Sequence, residues 1–257
     1  MKKIILILIA TAFLSACSKK EIEKPVEEQY NTSQIDDTSI PKKAAENGEN
    51  LFGQAFNAYD NHNYIKAAEL FEKSCNSGYA QGCGALAMLY DRRLSSVAHD
   101  LNGIEYNITK AIQWHEKACS GGFAESCLNL GNLYYKGQEV PEDFHKSFQW
   151  YQKGCDGDNA EACFKLANVY SHPYISEQSG VSLNYKEAFQ LYEKACNGNV
   201  ADACYNLGMY YHEGREIVQP NQAQAKQLFQ KSCDLGNKHD VVTKLACDMY
   251  RKLDSTL

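Results

Sequence analysis

The chain has 257 residues, of which 44% are hydrophobic and 23% charged, with a formal net charge of −6. A chain of this length can bury the core of one large or one extended domain. Its acidic balance, together with the lack of a basic stripe, excludes nucleic acid as the expected partner.

The first seventeen residues have the pattern of a bacterial export signal. Lys2 and Lys3 precede an apolar run, which ends in Leu14-Ser15-Ala16-Cys17. The run is too short to cross a bilayer as a stable helix. Its ending resembles a lipobox, which implies cleavage after residue 16, a lipid on Cys17 and a location at the outer membrane facing the periplasm. The alternative is an ordinary secretory signal with Cys17 near the cut by chance.

The predicted organisation has three parts: a signal peptide at 1–16, a flexible tether at 17–45 and a repeat domain at 46–257. The tether is rich in Lys, Glu, Ser, Thr and Gln. Such a composition buries too little apolar surface to fold. Membrane contact is therefore expected only through the lipid on Cys17.

Two cysteines with an eight-residue spacing occur four times along the chain. An amphipathic helical pattern precedes the first cysteine of each pair, and a second such pattern contains the other cysteine. The first cysteines recur at intervals of 36 to 44 residues, which is typical of an α-solenoid built from helix pairs. The pairs are Cys75/Cys83, Cys119/Cys127, Cys155/Cys163 and Cys196/Cys204.

The spacing within each pair indicates a reversal of the chain. Eight residues on one straight helix separate two Cα atoms by about 12 Å, whereas a disulfide joins Cα atoms no more than about 6.8 Å apart. Without Cys17, ten cysteines remain, an even number that favours disulfides in an exported protein. Gly, Asn and Asp residues between the paired cysteines supply a turn. Zinc is the weaker alternative, since zinc sites favour Cys-x-x-Cys.

Two features at the ends of the repeat region depart from the pattern. Cys233 and Cys247 lie fourteen residues apart, and we predict a fifth disulfide that needs either an offset last helix or a distorted bond. The last segment is predicted to be a capping helix, and the segment 51–73 an amino-terminal cap. The face assigned to the core of the last helix contains Val241, Val242, Leu245, Met249 and Leu253.

The repeated pattern A-x-x-C-x-x-L-G-x-x-Y, followed by A-x-x-x-[YF]-x-K-[AS]-C, resembles Sel-one-like repeats over about residues 46–253. The cysteine pairs resemble those of the Helicobacter cysteine-rich protein (Hcp) family. The resemblance implies an all-α fold, an α/α superhelical solenoid of tetratricopeptide-type repeats linked by disulfides. The chain departs from it by insertions at 91–106 and 171–184. The family also implies two alternative functions: a penicillin-binding protein with weak β-lactamase activity and, from distant relatives, an assembly factor for a redox or haem protein.

Catalytic motifs do not support the enzymatic alternative. A serine β-lactamase needs Ser-x-x-Lys, Ser-Asp-Asn and Lys-Thr-Gly. Only Ser39-Ile-Pro-Lys42 matches the first of these, and it falls in the predicted tether. The seven histidines have no spacing suited to a metal. We therefore predict no catalytic residue, metal or cofactor.

Polar side chains at two positions of the second helical pattern indicate a binding groove. The tetratricopeptide frame places the second and fifth residues after the cysteine on the concave surface. Asparagine can donate to and accept from a peptide backbone, and related superhelices hold extended peptides or carboxylates with such side chains. We predict that a peptide, a protein partner or a peptidoglycan fragment binds there; the alternative is that these asparagines are simply solvated. The predicted polar residues are Asn129, Asn132, Lys165, Asn168 and Asn206, beside Met209, and the flanking aromatic residues are Tyr135, Phe164, Tyr205 and His212.

Three acidic residues recur near the start of the second helical pattern: Glu125, Glu161 and Asp202. Acidic side chains in the first turn of a helix interact favourably with its dipole. A structural role is predicted for them.

Overall fold

The computed structural model describes residues 39–91, 103–214, 217–237 and 239–255. The predicted signal peptide, Cys17 and most of the predicted tether lie outside these residues. The described residues form twelve α-helices and no strand. In chain order the helices are α1 Ser39–Asp60, α2 Tyr64–Asn76, α3 Ala80–Tyr90, α4 Ile108–Ser120, α5 Ala124–Lys136, α6 Phe144–Asp156, α7 Ala160–Ser171, α8 Pro173–Ser179, α9 Tyr185–Asn197, α10 Ala201–Glu213, α11 Gln222–Leu235 and α12 Val241–Asp254.

The helices form a solenoid in which contacts are made mainly between neighbours. Five disulfide-linked helix pairs follow one another: α2/α3, α4/α5, α6/α7, α9/α10 and α11/α12. The second helix of each pair also packs against the first helix of the next pair, as α5 does against α6. This arrangement confirms the predicted all-α solenoid. Such an architecture stabilises each repeat through its two neighbours rather than through one central core.

A side-chain cap starts the first helix of every pair. The residue before the helix accepts a hydrogen bond from the backbone N–H three residues later, at distances from 2.9 to 3.2 Å. Asn and Asp are favoured at this position because their oxygen satisfies a backbone N–H that the helix leaves unpaired. The capping residues are Asn63, Asn107, Asp143, Asn184 and Asn221.

Four hairpins reverse direction at the same point, three residues after the first cysteine of the pair. The reversing residue has a positive φ in each case: Gly78 at 89°, Gly122 at 90°, Asp158 at 61° and Asn199 at 66°. Gly adopts this left-handed conformation without strain, and Asn and Asp tolerate it better than other residues. The predicted turns are therefore confirmed, and they bring the second cysteine back to the first.

The four cysteine pairs with eight-residue spacing are all bonded in the structure. Each bond joins the first helix of a pair to the second, and the Cα atoms lie well within the distance that a disulfide allows. The predicted pairing is therefore confirmed. The Cα–Cα distances are 4.6 Å for Cys75–Cys83, 5.0 Å for Cys119–Cys127, 4.5 Å for Cys155–Cys163 and 4.7 Å for Cys196–Cys204.

The fifth pair, with its longer spacing, is bonded as well. The Cα atoms of Cys233 and Cys247 lie 4.9 Å apart. Cys247 lies further into its helix than the equivalent Cys204, because α12 begins at Val241 and the loop before it is longer. An offset last helix is thus the explanation that the structure supports.

The last helix differs from the prediction in the face that it buries. Leu253 is buried, as expected, but Val241 and Leu245 are 68% and 45% exposed. The buried positions are instead Thr243 and Ala246. Thr243 and Ala246 lie four residues and one residue before Cys247, whose bond to Cys233 joins α12 to α11. The predicted core face was therefore wrong at its amino-terminal end.

The first helix starts earlier than the predicted boundary at residue 46. Helix α1 begins at Ser39, so its first seven residues fall within the segment assigned to the tether. A proline at position 41 is compatible with this, since the first turn of a helix needs no N–H from that residue. Within the described part of the chain, no helix has both the length and the apolar character needed to cross a membrane.

Candidate functional site

A cavity of about 700 Å³ opens on the face formed by the second helices α5, α7 and α10. Side chains from α6, α8 and α9 also line it. Most of the residues predicted to form a groove line this cavity. They are Asn132, Tyr135, Lys165, Asn168, Tyr205, Asn206 and Met209.

Three of the predicted groove residues do not line the cavity. Asn129 shares its register with Lys165, but it lies too early on α5, from which only the last two turns reach the cavity. Phe164 is only 7% exposed and packs in the core with its ring 6.1 Å from that of Tyr192, which corrects its predicted role as a groove residue. His212 donates from Nδ1 to Oε1 of Gln222 at 2.7 Å, so it belongs to the contact between α10 and α11.

The cysteines of the first four disulfides are buried in the core of the solenoid and do not line the cavity. Cys83 in α3 and Cys127 in α5 are both 2% exposed, and neither lines the cavity. Cys83 packs with its partner cysteine and Ala118, and Cys127 packs with its partner cysteine and Leu130. These two residues are therefore buried structural positions that fix the hairpins, rather than part of a surface that a ligand can contact.

Two tyrosines determine how the cavity asparagines are oriented. The Tyr151 hydroxyl donates to Oδ1 of Asn132 at 2.9 Å, and the Tyr192 hydroxyl donates to Oδ1 of Asn168 at 2.7 Å. Since each Oδ1 already accepts, the Nδ2 group remains as the donor that each amide offers to the cavity. Neither Nδ2 makes a hydrogen bond to a described residue. Ser171 lies 2.8 Å from the Tyr192 hydroxyl and completes this polar cluster.

Burial keeps Tyr151 in the form that donates. Desolvation raises the pKa of Tyr151 well above its usual range, with a smaller contribution from Tyr135. The hydroxyl therefore stays protonated at any physiological pH. It can therefore donate to Asn132 throughout this pH range.

Sequence reasoning missed both tyrosines, although a signal for them exists. Tyr151 and Tyr192 each lie four residues before the first cysteine of a pair, Cys155 and Cys196. The helix that carries this position packs against the preceding second helix. A search for polar residues at that register would have placed both tyrosines opposite the asparagines.

The charged side chains of the cavity are cationic. Lys136 and Lys165 line it, and none of the described lining residues is Asp or Glu. Lys165 is paired with Glu161 at 3.0 Å, whereas Lys136 is exposed and makes no ion pair with a described residue. In a chain with a net charge of −6, this local reversal of sign favours ligands that bring a negative charge.

The recurring acidic residues lie outside the cavity, at the starts of the second helices. Glu125 accepts a hydrogen bond from Nδ2 of Asn159 in the next hairpin at 2.8 Å. Burial raises the pKa of Asp202, and the nearby carboxylates of Asp240 and Glu161 raise it further. Burial and like charges therefore act against the favourable effect of the helix dipole at Asp202, although the predicted location in a first turn is correct.

The described part of the chain was compared with the arrangements needed for a metal site and for a thiol nucleophile. No group of three or more His, Cys, Asp or Glu side chains there is close enough to hold a metal ion. The cysteines at 75–247 are all in disulfides, so none of them is available as a thiol nucleophile.

Comparison with known protein families identifies the repeats. The Sel1 repeat matches residues 58–79, 92–123, 124–159, 160–200 and 201–237, which is more than half of the chain. The chain belongs to the Sel1 repeat family. The last three matched units, 124–159, 160–200 and 201–237, each run from a second helix through the first helix of the next pair. Asn132 and Tyr151 thus lie in one Sel1 repeat, and Asn168 and Tyr192 lie in the next.

Solved structures agree with this Sel1 repeat fold. A Sel1 repeat protein from Oxalobacter formigenes is 20% identical, with a TM-score of 0.57 over 85% of this chain and 90% of that one. The protective antigen c5321 of uropathogenic Escherichia coli is 22% identical, with a TM-score of 0.58 over 84% of this chain and 46% of that one. These likenesses show the fold alone.

Helicobacter pylori cysteine-rich protein B is also similar to part of this Sel1 repeat protein. It is 28% identical over 55% of this chain and 92% of that one, with a TM-score of 0.40. Membership of the Hcp family therefore stays a prediction. No curated protein sequence matches the chain.

Proposed function

We propose that this Sel1 repeat protein is a lipid-anchored envelope scaffold that binds an extended peptide segment, either free or as part of a protein partner, in the cavity of α5, α7 and α10. The observation that carries the proposal is the orientation of two amides in consecutive repeats. Tyr151 and Tyr192 occupy the oxygens of Asn132 and Asn168. The Nδ2 donors are thereby available to the carbonyl groups of an extended chain.

The dimensions and composition of the cavity support a peptide ligand. A volume of about 700 Å³ lies within the range of about 300 to 1,000 Å³ found for ligand sites. Fixed amide donors stand beside apolar surface from Ile175 and Met209. This combination of a few oriented polar groups with apolar walls is what peptide recognition requires.

The proposed location rests on the amino-terminal sequence. The charged start, the short apolar run and the Leu-Ser-Ala-Cys ending support export and lipidation at Cys17. We propose that the protein faces the periplasm from the outer membrane. Incorporation of labelled palmitate into wild-type protein but not into a Cys17→Ala variant tests this proposal. Equal labelling of both proteins would contradict it.

A binding measurement tests the proposed site. The exported full-length protein, extracted in detergent, is incubated with an array of random hexapeptides. An Asn132→Ala/Asn168→Ala variant should lose at least about tenfold in affinity for the peptides that the wild type binds, since each lost hydrogen bond is worth roughly 1 kcal/mol.

Asn129→Ala is the matched control for this measurement. Asn129 lies on the same helix as Asn132 and has the same chemistry, but it does not line the cavity. Its affinities should equal those of the wild type. Unchanged binding by the double variant, or an equal loss in the control, would refute the proposed site.

A further inference from the structure

The Sel1 repeat that forms the middle of the cavity contains an inserted helix, α8. It occupies residues Pro173–Ser179, between α7 and α9. The equivalent connection between α5 and α6 has only the seven residues 137–143 and contains no helix. The additional chain therefore stands beside the candidate site and not at a remote position.

Several contacts hold α8 firmly against the solenoid. Ser176 and Ser179 are 2% and 0% exposed. The Ser179 carbonyl accepts a hydrogen bond from Nδ1 of His145 in α6 at 3.0 Å. The Ser176 hydroxyl donates to the carbonyl oxygen of Val181 at 2.7 Å, which closes the turn after the helix. These contacts make α8 a fixed part of the cavity wall.

The surface that α8 contributes is apolar. Ile175 lines the cavity. Tyr174, which is 58% exposed, packs edge-on against Phe144 with 6.2 Å between ring centroids, and Phe144 packs edge-on against Tyr135 at 5.3 Å. The apolar wall of the cavity is thus formed by Ile175 and Tyr135, whereas Phe144 and Tyr174 continue the ring contacts from Tyr135 to α8 outside the lining. Such a surface can hold a large apolar side chain of a ligand.

This apolar wall adjoins the cationic end of the cavity. Tyr135 in the wall is followed directly by Lys136, whose ammonium group makes no ion pair with a described residue. Asn132, one turn earlier on α5, offers its amide donor to the same part of the cavity. A carboxylate at this end would therefore meet one cation and one N–H donor.

We propose that α8 is the specificity-determining element of the site, selecting an acidic peptide segment that carries a large apolar side chain beside its carboxylate. This inference rests on the proposed function, because it concerns the same cavity. Charge complementarity identifies the ligand as acidic: Lys136 lines the cavity without an ion pair to a described residue, Lys165 is paired with Glu161, and none of the described lining residues is a carboxylate. The apolar wall formed by Ile175 and Tyr135 explains the need for an apolar neighbour.

The test uses hexapeptides in which one position is Asp or Asn and the adjacent position is Leu, Phe or Ala. The wild-type full-length protein should prefer Asp to Asn, and Leu or Phe to Ala, each by about tenfold or more. In a first variant, residues 172–183 are replaced by Gly-Gln-Glu-Val-Pro-Glu, the sequence of 137–142, so that the Asn184 cap is retained. This variant should lose the preference for Leu and Phe but keep the preference for Asp.

Single substitutions test the apolar preference and the Asp preference separately. They also do not require that the protein fold with the replaced loop. Ile175→Ser should reduce the preference for Leu and Phe, and Lys136→Gln should reduce the preference for Asp, each by about fivefold. Leu183→Ser is the control, since Leu183 is 42% exposed in the same insertion but does not line the cavity. Mass spectrometry of the disulfides verifies that each variant is folded.

The two proposals fail in different ways. If no hexapeptide binds the wild type, the proposed function is wrong. If hexapeptides bind through Asn132 and Asn168 but Ile175→Ser and the loop replacement leave the apolar preference unchanged, then the role of α8 is refuted while the proposed function stands. If Ile175→Ser lost the preference for Asp while Lys136→Gln kept it, the proposed division of roles between α8 and Lys136 would also be contradicted.

Discussion

The hydroxyl group of Tyr192 in α9 donates a hydrogen bond to Oδ1 of Asn168 in α7, at 2.7 Å. The same bond joins the equivalent residues one Sel1 repeat earlier. In the following repeat the two positions are Met209 and Phe229, which pack together as apolar residues. Among the described repeats, the Tyr–Asn hydrogen bond therefore occurs in two consecutive ones. The polar part of the candidate site ends where Met209 and Phe229 replace the Asn and the Tyr.

Removal of the Tyr192 hydroxyl should weaken both the fold and the site. We expect Tyr192→Phe to lower the melting temperature by about 2–4 °C, because one buried hydrogen bond contributes roughly 1 kcal/mol in a protein of this size. Affinity for bound hexapeptides should also fall, since Asn168 is no longer held in one orientation. Thermal unfolding and the peptide array measure the two effects. Tyr185→Phe, at a residue that is 40% exposed, should change neither quantity.

Glycine at position 131 is required by the close approach of the next helix. A Cβ atom added there would lie 2.5 Å from two ring carbons of Tyr151. We expect Gly131→Ala to destabilise the protein by about 1–3 kcal/mol, as overpacking does in other cores. Gly53→Ala in α1 is the control, because its Cβ would meet nothing within 4 Å. It should stabilise the protein by about 0.4–1 kcal/mol through the unfolded state. Denaturant unfolding of the two variants should thus show opposite signs.

Loss of the central disulfide should cost more than most single substitutions. Cys155 and Cys163 are 3% and 0% exposed. We expect Cys155→Ser/Cys163→Ser to reduce the free energy of unfolding by about 2–4 kcal/mol, since the closed loop no longer restricts the unfolded chain. Denaturant unfolding under non-reducing conditions measures the change. A midpoint equal to that of the wild type would show that the hairpin needs no bond at this position.

The carboxyl group of Asp202 should make the protein less stable as the pH rises. Burial and the carboxylates of Asp240 and Glu161 raise its pKa in the folded state. The folded state therefore holds the proton more tightly, and stability is lost as the pH rises from about 3.9, the value in an unfolded chain, through the higher folded value. Asp202→Asn should raise the melting temperature at pH 7 and have little effect below pH of about 3.5.

Asp156→Asn is the control for this pH dependence, because Asp156 is exposed and makes no hydrogen bond or ion pair with a described residue. Its melting temperature should follow that of the wild type at every pH. If Asp202→Asn were less stable than the wild type at pH 7, the favourable interaction of the Asp202 carboxylate with the helix dipole would exceed the unfavourable effects of burial and like charges.

The last described helix differs from the other second helices at a single register. Four inner second helices have a small residue four positions after the cysteine, where the next helix packs: Ala87, Gly131, Ala167 and Gly208. In α12 this position is Arg251, which forms an ion pair with Asp248 at 3.3 Å. Arg251 is large and exposed, so this register does not offer the close approach that Ala or Gly allows. The capping role of α12 stays a prediction, and the sequence did not show the rotation of that helix.

Only the tertiary structure could show which predicted groove residues act together. Asn129 and Asn132 have the same chemistry and lie three residues apart, yet only Asn132 lines the cavity. Phe164 has the spacing of a flanking residue but points into the core. The helical pattern shows on which face of its helix a side chain lies. The boundary of a cavity, however, depends on helices from other repeats.

By itself, the sequence determined the Sel1 repeats, the cysteine pairs and the reversals between them, because each depends on residues within one short segment of chain: a helical period, a capping Asn or Asp, and a Gly, Asn or Asp at positive φ. The tertiary structure alone decided that Tyr192 would hold Asn168, twenty-four residues away, and that α8 would stand beside the cavity. Those relationships arise when separate helices pack, and their geometry follows from side-chain volume and helix rotation rather than from local spacing.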